Sequence, residues 1–425
     1  MNELIEKKFI KELNTEVYFN KTEKFKTASI QIMYTFPKGE VDIKALNILA
    51  VLLADACKDY PSTPALSSYL EELYGSSIAP KVSVSGDSVN FSIISSFISD
   101  IYSEKGLSDK IVELMSKIIY RPYFNNKKFD KDYFEFEKKK YIAGVQKAME
   151  RKETFAAMRF SEILEKEFNV TASLTHPSKL EKITLNKVMD AYNKLTSSSY
   201  RVLVIGDLDI EDVTASLIKY LPTTTPATNY NLVTSIDREI KAKVEKNEKF
   251  SQSYLIALYN VDTNILSDEK EHFSALVYSL LLHDRFFDVV REKNGLCYAI
   301  GNSYLNNNSV FRVSAGIDAS KYRKTMSLVN KEINKVKLGK INNKDWNKTI
   351  ELVTGLLANN QDDVGSCLRD LESYALRSKY ISTPRAIEII KNITKEDVIK
   401  IANKTRFITS FLLKGTGTAG GEQDA

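Results

Sequence analysis

The sequence predicts an α+β protein built from two similar domains, and three observations support this prediction. Strands are followed by runs of helices, an order that favours an antiparallel sheet with helices on one face. The same order of elements occurs twice along the chain. The chain of 425 residues is also too long for a single hydrophobic core.

Each copy is predicted to contain a strand, an apolar helix, a glycine turn, further strands, long helices and a closing strand. In the first copy these elements cover 29–36, 43–56, 75, 81–96, 109–119, 129–150 and 200–206. In the second copy they cover 254–259, 272–282, 295, 299–316, 321–337, 343–358 and 407–413. Runs of β-branched and aromatic residues indicate the strands, and apolar residues three and four positions apart indicate the helices.

Residue matches between the copies predict an internal duplication. The segment Lys182–Val188 resembles Asn392–Val398 at an offset of 210. Further matches join Tyr34 to Tyr259 at an offset of 225, and Gly75 to Gly295 at an offset of 220. Because the matches extend along the whole chain and their offsets differ only by short insertions, they indicate two copies of one fold.

The predicted domain boundaries follow the two copies. The N-terminal domain covers 1–221, a linker rich in Thr and Pro covers 222–231, and the C-terminal domain covers 232–414. Residues 415–425 are rich in Gly and lack periodicity, so a disordered tail is predicted there.

Composition excludes several classes of protein. The balance of 60 Lys+Arg against 55 Asp+Glu gives a net charge of only +5, and the two signs are interleaved, so no nucleic-acid-binding surface is predicted. No apolar run is long enough to cross a membrane. The start of the chain lacks the pattern of a secretory signal, and three widely spaced cysteines match no zinc or redox motif. These features predict a cytoplasmic protein.

The segment 285–300 is the strongest candidate for a functional site. Apolar spacing predicts a helix that ends near Arg291, Asn294-Gly295 suits a helix C-cap, and a strand is predicted from Leu296 onward. The guanidinium of Arg291 and the phenol of Tyr298 therefore flank one turn. Strand alternation directs Cys297 to the opposite face, where it is predicted to pack in the core.

This Arg/Tyr turn resembles the "REKxGLxY" turn of the pitrilysin/insulinase-like (inverzincin) zinc metallopeptidases. The resemblance extends along most of the chain through Tyr60-Pro61, His176-Pro177 and 204–207, which is similar to the strand that closes the family's first domain. It implies two α/β-roll domains arranged as a clamp. It also implies that Arg291 and Tyr298 hold a scissile carbonyl and stabilise the oxyanion, a role for which a fixed cation and an O–H donor are suited.

Active family members carry His-x-x-Glu-His on the first apolar helix, where two histidines bind zinc and the glutamate activates water. Alignment from Tyr60-Pro61 places these positions at Asn47, Ala50 and Val51, and no histidine precedes His176. The zinc motif is therefore absent, and no metal or other cofactor is expected in this chain. His272 and His283 are predicted to be surface or capping residues. The glutamates at 135, 137 and 150, on the helix that carries the distal zinc ligand in active members, are predicted to be solvated.

The sequence leaves three functions open. The first is the zinc-less subunit of a bacterial heterodimeric peptidase, in which Arg291 and Tyr298 act at the zinc of a homologous partner on a peptide substrate, in peptide processing or maturation. No activity is expected of this chain alone. The second is a non-catalytic peptide-binding or structural subunit of a larger complex. The third, an unrelated soluble scaffold, is disfavoured by the ordered family resemblance. The sequence favours the first function.

Overall fold

The structure, a computed structural model, describes residues 4–170, 175–227, 236–263 and 268–416. These residues form two compact units. Unit 1 contains the described residues of 4–146, 175–227 and 360–380. Unit 2 contains those of 147–170, 236–263, 268–359 and 381–416.

Strands and helices alternate along the described residues in two similar series. The strands are β1 Leu4–Ile10, β2 Thr15–Lys21, β3 Thr27–Pro37, β4 Ser77–Ser85, β5 Ser88–Ile98, β6 Phe124–Asn125, β7 Lys128–Phe129, β8 Tyr200–Gly206, β9 Lys243–Lys246, β10 Ser253–Asn260, β11 Cys297–Leu305, β12 Val310–Ile317 and β13 Arg406–Lys414. The helices are α1 Ile43–Asp55, α2 Thr63–Glu72, α3 Leu107–Tyr120, α4 Lys131–Ala148, α5 Lys152–Phe168, α6 Pro177–Leu180, α7 Leu185–Ser197, α8 Ile210–Tyr220, α9 Glu269–Phe286, α10 Tyr322–Lys337, α11 Asn343–Asn360, α12 Val364–Arg377, α13 Thr383–Lys391 and α14 Lys395–Lys404.

The main sheets of the two units share one topology. In unit 1 the strand order is β1-β2-β8-β3-β5-β4, and in unit 2 it is β11-β12-β10-β13-β9. Neighbouring strands are antiparallel except for one parallel pair in each sheet, β2 with β8 and β9 with β13. When the unit 1 order is read in reverse, β4, β5, β3, β8 and β2 correspond in turn to β11, β12, β10, β13 and β9 of unit 2. The predicted α+β class with two similar domains is confirmed.

Single residues match between the copies as well. Tyr34 pairs with Phe91 and Tyr200 on its neighbouring strands, and its ring contacts both. Tyr259 pairs with Phe311 and Phe407 in the same way, with ring contacts to both. Each tyrosine therefore occupies the same place in the centre of its sheet. Equal packing at matched positions is what a duplicated core requires.

The matched segments 182–188 and 392–398 begin equivalent helices with the same kind of cap. The hydroxyl of Thr184 accepts a hydrogen bond from the Lys187 amide at the start of α7. Thr394 caps α14 similarly, and the Asp397 side chain there also accepts from the Thr394 amide, which completes a capping box. Threonine is a favoured N-cap because its oxygen satisfies an amide that the first helical turn leaves unpaired.

Several helices of each unit cover one face of its sheet, which we call the first face; the opposite face is the second face. In unit 1, apolar residues of β2, β3, β5 and β8 pack against α1, α3 and α7. In unit 2, the corresponding strands pack against α9, α10, α13 and α14. Both clusters are well buried; for example, Leu49 and Leu282 are 0% exposed. Burying such side chains contributes most of the driving force for folding.

A further helix from the opposite half of the chain covers part of each sheet's second face. In unit 1, α12 buries Leu368 and Leu371 against Leu203 and Ile205. In unit 2, α5 buries Phe160 against Ile256 and other residues. The predicted domains, 1–221 and 232–414, are each one continuous segment. In the structure, α5 from the first segment belongs to unit 2, and α12 from the second segment belongs to unit 1. Helices on one face only were predicted from the sequence, whereas each sheet has a helix on its second face as well.

Two predicted segments fall partly outside the described residues. Of the predicted linker, 222–227 is described, and the Thr224 amide there donates to the Leu13 carbonyl at 2.9 Å. Of the predicted disordered tail, only Gly415 and Thr416 are described, and the Thr416 amide donates to the Phe250 carbonyl at 2.9 Å. Within the described ranges, every helix is too short or too polar to traverse a lipid bilayer.

Candidate functional site

Arg291 lies in a π-helical turn, Phe287–Glu292, that continues directly from α9. The Lys293 amide donates to the Asp288 carbonyl, five residues earlier, at 2.9 Å. The guanidinium of Arg291 lies over the ring of Phe287, 4.8 Å from its centroid, and Nε is 3.4 Å from a Glu292 carboxylate oxygen. Such turns are rare and are concentrated at functional sites. The end of the helix was predicted from the sequence, but its π-helical form was not.

Gly295 ends this turn in the left-handed region, with φ of +55°. Its amide donates to the Arg291 carbonyl at 2.9 Å, and the Leu296 amide donates to the Val290 carbonyl at 3.0 Å. This is the predicted glycine C-cap. Unit 1 contains its counterpart: Gly75 has φ of +68°, and its amide donates to the Glu71 carbonyl at 3.2 Å.

Tyr298 lies at a β-bulge near the start of β11, between Cys297 and Ala299, where the pairing with β12 shifts register. Its side chain is 72% exposed, and its hydroxyl makes no hydrogen bond with any residue that the structure describes. Cys297 is buried in the unit 2 core, as predicted. Bulges re-aim side chains and are common beside active sites. The bulge leaves both Tyr298 and Ala299 exposed, which strict alternation would not.

Two cations, Arg291 and Lys321, lie near the start of β11, and each is close to a carboxylate, Glu292 at 3.4 Å and Asp318 at 3.0 Å. Burial raises the pKa of the Cys297 thiol, and the nearby charges of Arg291 and Lys321 act in the opposite direction. The ammonium of Lys321 also donates to the Gly295 carbonyl at 3.2 Å, which ties it to the turn. Two cations and an unbonded phenol are therefore presented around one turn. Such a set can bind a carbonyl oxygen or an anion and can stabilise developing negative charge.

The three positions aligned with the zinc motif share one face of α1. Asn47, Ala50 and Val51 are partly exposed, whereas the flanking residues 45, 46, 48, 49, 52 and 53 are buried in the core. The spacing of three and four residues places them on adjacent turns. Ala50 and Val51 have no ligand atoms, so this face does not fit zinc. The described residues contain no cluster of three or more His, Cys, Asp or Glu side chains that could hold a metal.

An ionic cluster lies one turn beyond this face, where Lys140 on α4 bridges two carboxylates. Its ammonium is 2.9 Å from Asp55 and 3.2 Å from Glu137. Burial raises the pKa of Glu137, and its hydrogen bond with Asp55 raises it further, while Lys140 acts in the opposite direction. Glu137 is only 3% exposed, so the prediction that it is solvated was wrong. The sequence alone does not reveal that α4 turns this residue toward α1.

Comparisons with known proteins identify similar sequences and structures. Residues 182–353, which include Arg291 and Tyr298, match the family described as the Peptidase M16 inactive domain. A "Probable inactive metalloprotease YmfF" of Bacillus subtilis is 24% identical over 412 residues, covering 93% of this chain and 95% of that protein.

Solved structures share the fold over nearly the whole chain. A conserved protein from Enterococcus faecalis V583 has a TM-score of 0.89 at 21% identity, covering 99% of this chain and all of that one. A protease from Helicobacter pylori has a TM-score of 0.74 at 15% identity, covering 97% and 99% of the two chains. A peptidase M16 inactive domain from Pseudomonas fluorescens has a TM-score of 0.72 at 15% identity, with 97% and 98% coverage.

Proposed function

Because the chain belongs to the pitrilysin/insulinase-like (M16) metallopeptidase family and lacks the zinc-binding residues, we propose that it is the zinc-less subunit of a heterodimeric peptidase. One observation carries the proposal. Arg291 and Tyr298 are presented at an exposed, specially shaped turn, while positions 47, 50 and 51 cannot bind metal. In this proposal, the chain keeps the Arg/Tyr half of the family's catalytic set and lacks the zinc-binding half.

In this proposal, Arg291 and Tyr298 bind the scissile carbonyl of a peptide. The guanidinium supplies a fixed positive charge, and the phenol supplies an O–H donor that no described residue occupies. Both groups act on the oxygen that becomes negative as the carbonyl is attacked. A homologous partner subunit supplies the zinc and the attacking water. The loss of one such donor costs roughly 10²–10³ in rate.

The position of Tyr298 on a sheet edge supports the proposed substrate class. Among the described strands of unit 2, β11 is the last in its sheet and pairs only with β12. An extended peptide can add to such an edge through main-chain hydrogen bonds, beside Tyr298. We therefore propose peptides or unfolded segments as substrates, in cytoplasmic peptide processing or maturation.

The alternative is a non-catalytic peptide-binding or structural subunit of a larger complex. The family description as an inactive domain, and the relative named a probable inactive metalloprotease, favour it. In that case the turn at 287–298 would serve binding only. The two proposals differ in whether substitutions at Arg291 and Tyr298 change the rate of peptide cleavage by a partner.

The test is peptide cleavage by this chain, by a homologue with His-x-x-Glu-His near its residue 50, and by the two mixed. Arg291→Ala and Tyr298→Phe are measured in the mixture. Tyr74→Phe is the matched control, because Tyr74 is 48% exposed beside the equivalent glycine of unit 1. Activity only in the mixture, lowered about a hundredfold by either site substitution and unchanged by the control, supports the catalytic role. Full activity without this chain, or no effect of both substitutions, leaves the non-catalytic role.

A further inference from the structure

Arg312 lies in the middle of β12, on the second face of the unit 2 sheet. Its neighbours in sequence, Phe311 and Val313, are buried in the helix-covered core, so the arginine points the other way. It pairs with Ser303 on β11 and with Leu258 on β10. Arg312 is thus one strand in from the free edge that begins near Tyr298.

The positive charge of Arg312 is uncompensated among the described residues. The side chain is partly buried, yet it makes no ion pair, hydrogen bond or aromatic contact with any residue that the structure describes. An arginine withdrawn from water without a partner carries a desolvation cost, and most partly buried arginines avoid it by pairing. A carboxylate from outside the chain would remove that cost.

The duplication provides an internal comparison. The unit 1 position that matches Arg312 is Ser92, whose hydroxyl accepts a hydrogen bond from Gln31 at 2.8 Å. Two cations on that face of unit 1 act on carboxylates: Arg201 Nε is 3.3 Å from Glu16, and the charge of Lys81 partly offsets the rise in the pKa of Glu372 that burial causes. The position in unit 1 that matches Arg312 therefore carries no cation.

Among the described residues, the side chains between Arg312 and the β11 edge are short, although the Gln252 side chain lies against Gly316 farther along β12, where a built Cβ would be 3.2 Å from its Oε1. The second-face residues between it and Tyr298 are small: Ala299, Gly301 and Ser303 on β11, and Ser314 and Gly316 on β12. A Cβ atom built on Gly301 meets no heavy atom within 4 Å. The helix on this face, α5, packs on β10 and β13, farther from the edge. The long side chain of Arg312 can therefore extend across Ser303 to a peptide added at β11.

We infer that Arg312 is a specificity-determining residue that binds a carboxylate of the peptide substrate. This inference rests on the proposed function. Arg312 pairs with Ser303, four residues beyond Ala299, and strands rise about 3.4 Å per residue. The carboxylate would thus lie roughly 14 Å along the edge from Ala299, next to Tyr298, or about four residues of extended peptide. It is either an acidic side chain or the carboxyl terminus of the peptide.

The experiment measures kcat/KM in the mixture of this chain with its zinc-bearing homologue, and equilibrium binding to the full chain alone. The probes are short extended peptides in which one Glu is moved through the positions on either side of the cleaved bond. Each has a partner with Gln at the same position, and each is made with a free or an amidated carboxyl terminus. The variants are Arg312→Gln, Arg312→Lys and the control Arg323→Gln, at an exposed arginine on α10.

An acidic side chain is supported if the chain prefers Glu over Gln by about tenfold at one position of the peptide. This preference should be lost in Arg312→Gln, partly restored in Arg312→Lys and kept in Arg323→Gln. Loss of binding on amidation, dependent on Arg312, supports the terminal carboxylate. Equal use of Glu and Gln peptides with either terminus, or a preference that survives Arg312→Gln, overturns the inference and leaves the proposed function intact. If no peptide binds, the inference fails, and the cleavage test of Arg291 and Tyr298 decides the proposed function separately.

Discussion

Substituting alanine for Gly295 should cost stability through the backbone alone. The residue has φ of +55°, a conformation that L residues rarely adopt, and a Cβ atom built there meets no heavy atom within 4 Å. There is therefore no steric clash, and the left-handed conformation accounts for the whole penalty. That penalty is about 1 kcal/mol, which lowers the melting temperature of a unit of this size by roughly 2–4 °C.

Gly75 is the matched control for this prediction. It has φ of +68°, an equally open Cβ position and the same cap hydrogen bonds, so Gly75→Ala should cost as much. Gly144, in the exposed face of α4, has no positive φ and no Cβ contact. Because alanine is the better helix former, Gly144→Ala should be neutral or stabilising by up to about 1 kcal/mol.

The assays are thermal unfolding of these three variants and of Gly295→Asn, and peptide cleavage in the mixture with the zinc-bearing homologue. We expect equal melting shifts for Gly75→Ala and Gly295→Ala, and reduced cleavage only for Gly295→Ala, because that turn orients Arg291 relative to Tyr298. Gly295→Asn should recover part of the stability, since Asn tolerates positive φ. If Gly295→Ala is as stable as the unsubstituted chain, or much less stable than Gly75→Ala, the backbone argument is refuted.

Three further substitutions test other contacts. Gly206→Ala should lower the free energy of unfolding by more than about 3 kcal/mol or prevent folding. Gly206 has φ of +133°, and a Cβ atom there would lie 2.6 Å from the Cβ of Ala28. A free energy of unfolding in urea close to that of the unsubstituted chain would contradict this. Lys140→Met should destabilise by about 1 kcal/mol at neutral pH, because it leaves Glu137 without its cation. The pKa of Glu137 is raised on folding, so its contribution to stability, measured as the difference from Glu137→Gln, should fall as pH rises from 4.5 through that raised pKa. The fall should be steeper in Lys140→Met. Leu371→Ala should cost about 2–4 kcal/mol and deprotect β3 and β8 in hydrogen exchange; loss of protection confined to unit 2 would show that α12 does not stabilise unit 1.

The local features of the site could be predicted because they depend on neighbouring residues. The spacing of Phe286 and Val290, the Asn-Gly C-cap and the following β-branched run predict the turn between Arg291 and Tyr298, and the structure contains it. The absence of zinc ligands at Asn47, Ala50 and Val51 is likewise a matter of residue type. The π-helical form and the bulge at Tyr298 were missed, because small differences in packing against the core decide between them and regular structure.

The sequence by itself determined the α+β class, the duplication and the identity of the Arg/Tyr turn, since periodicity, repeated motifs and caps are local properties. The tertiary structure alone decided which sheet each amphipathic helix covers. An apolar face specifies burial but not a partner, so nothing in α5 or α12 reveals that each packs on a sheet formed mainly by the other half of the chain. For the same reason, the burial of Glu137 and the uncompensated charge of Arg312 emerged only when distant strands and helices were brought together.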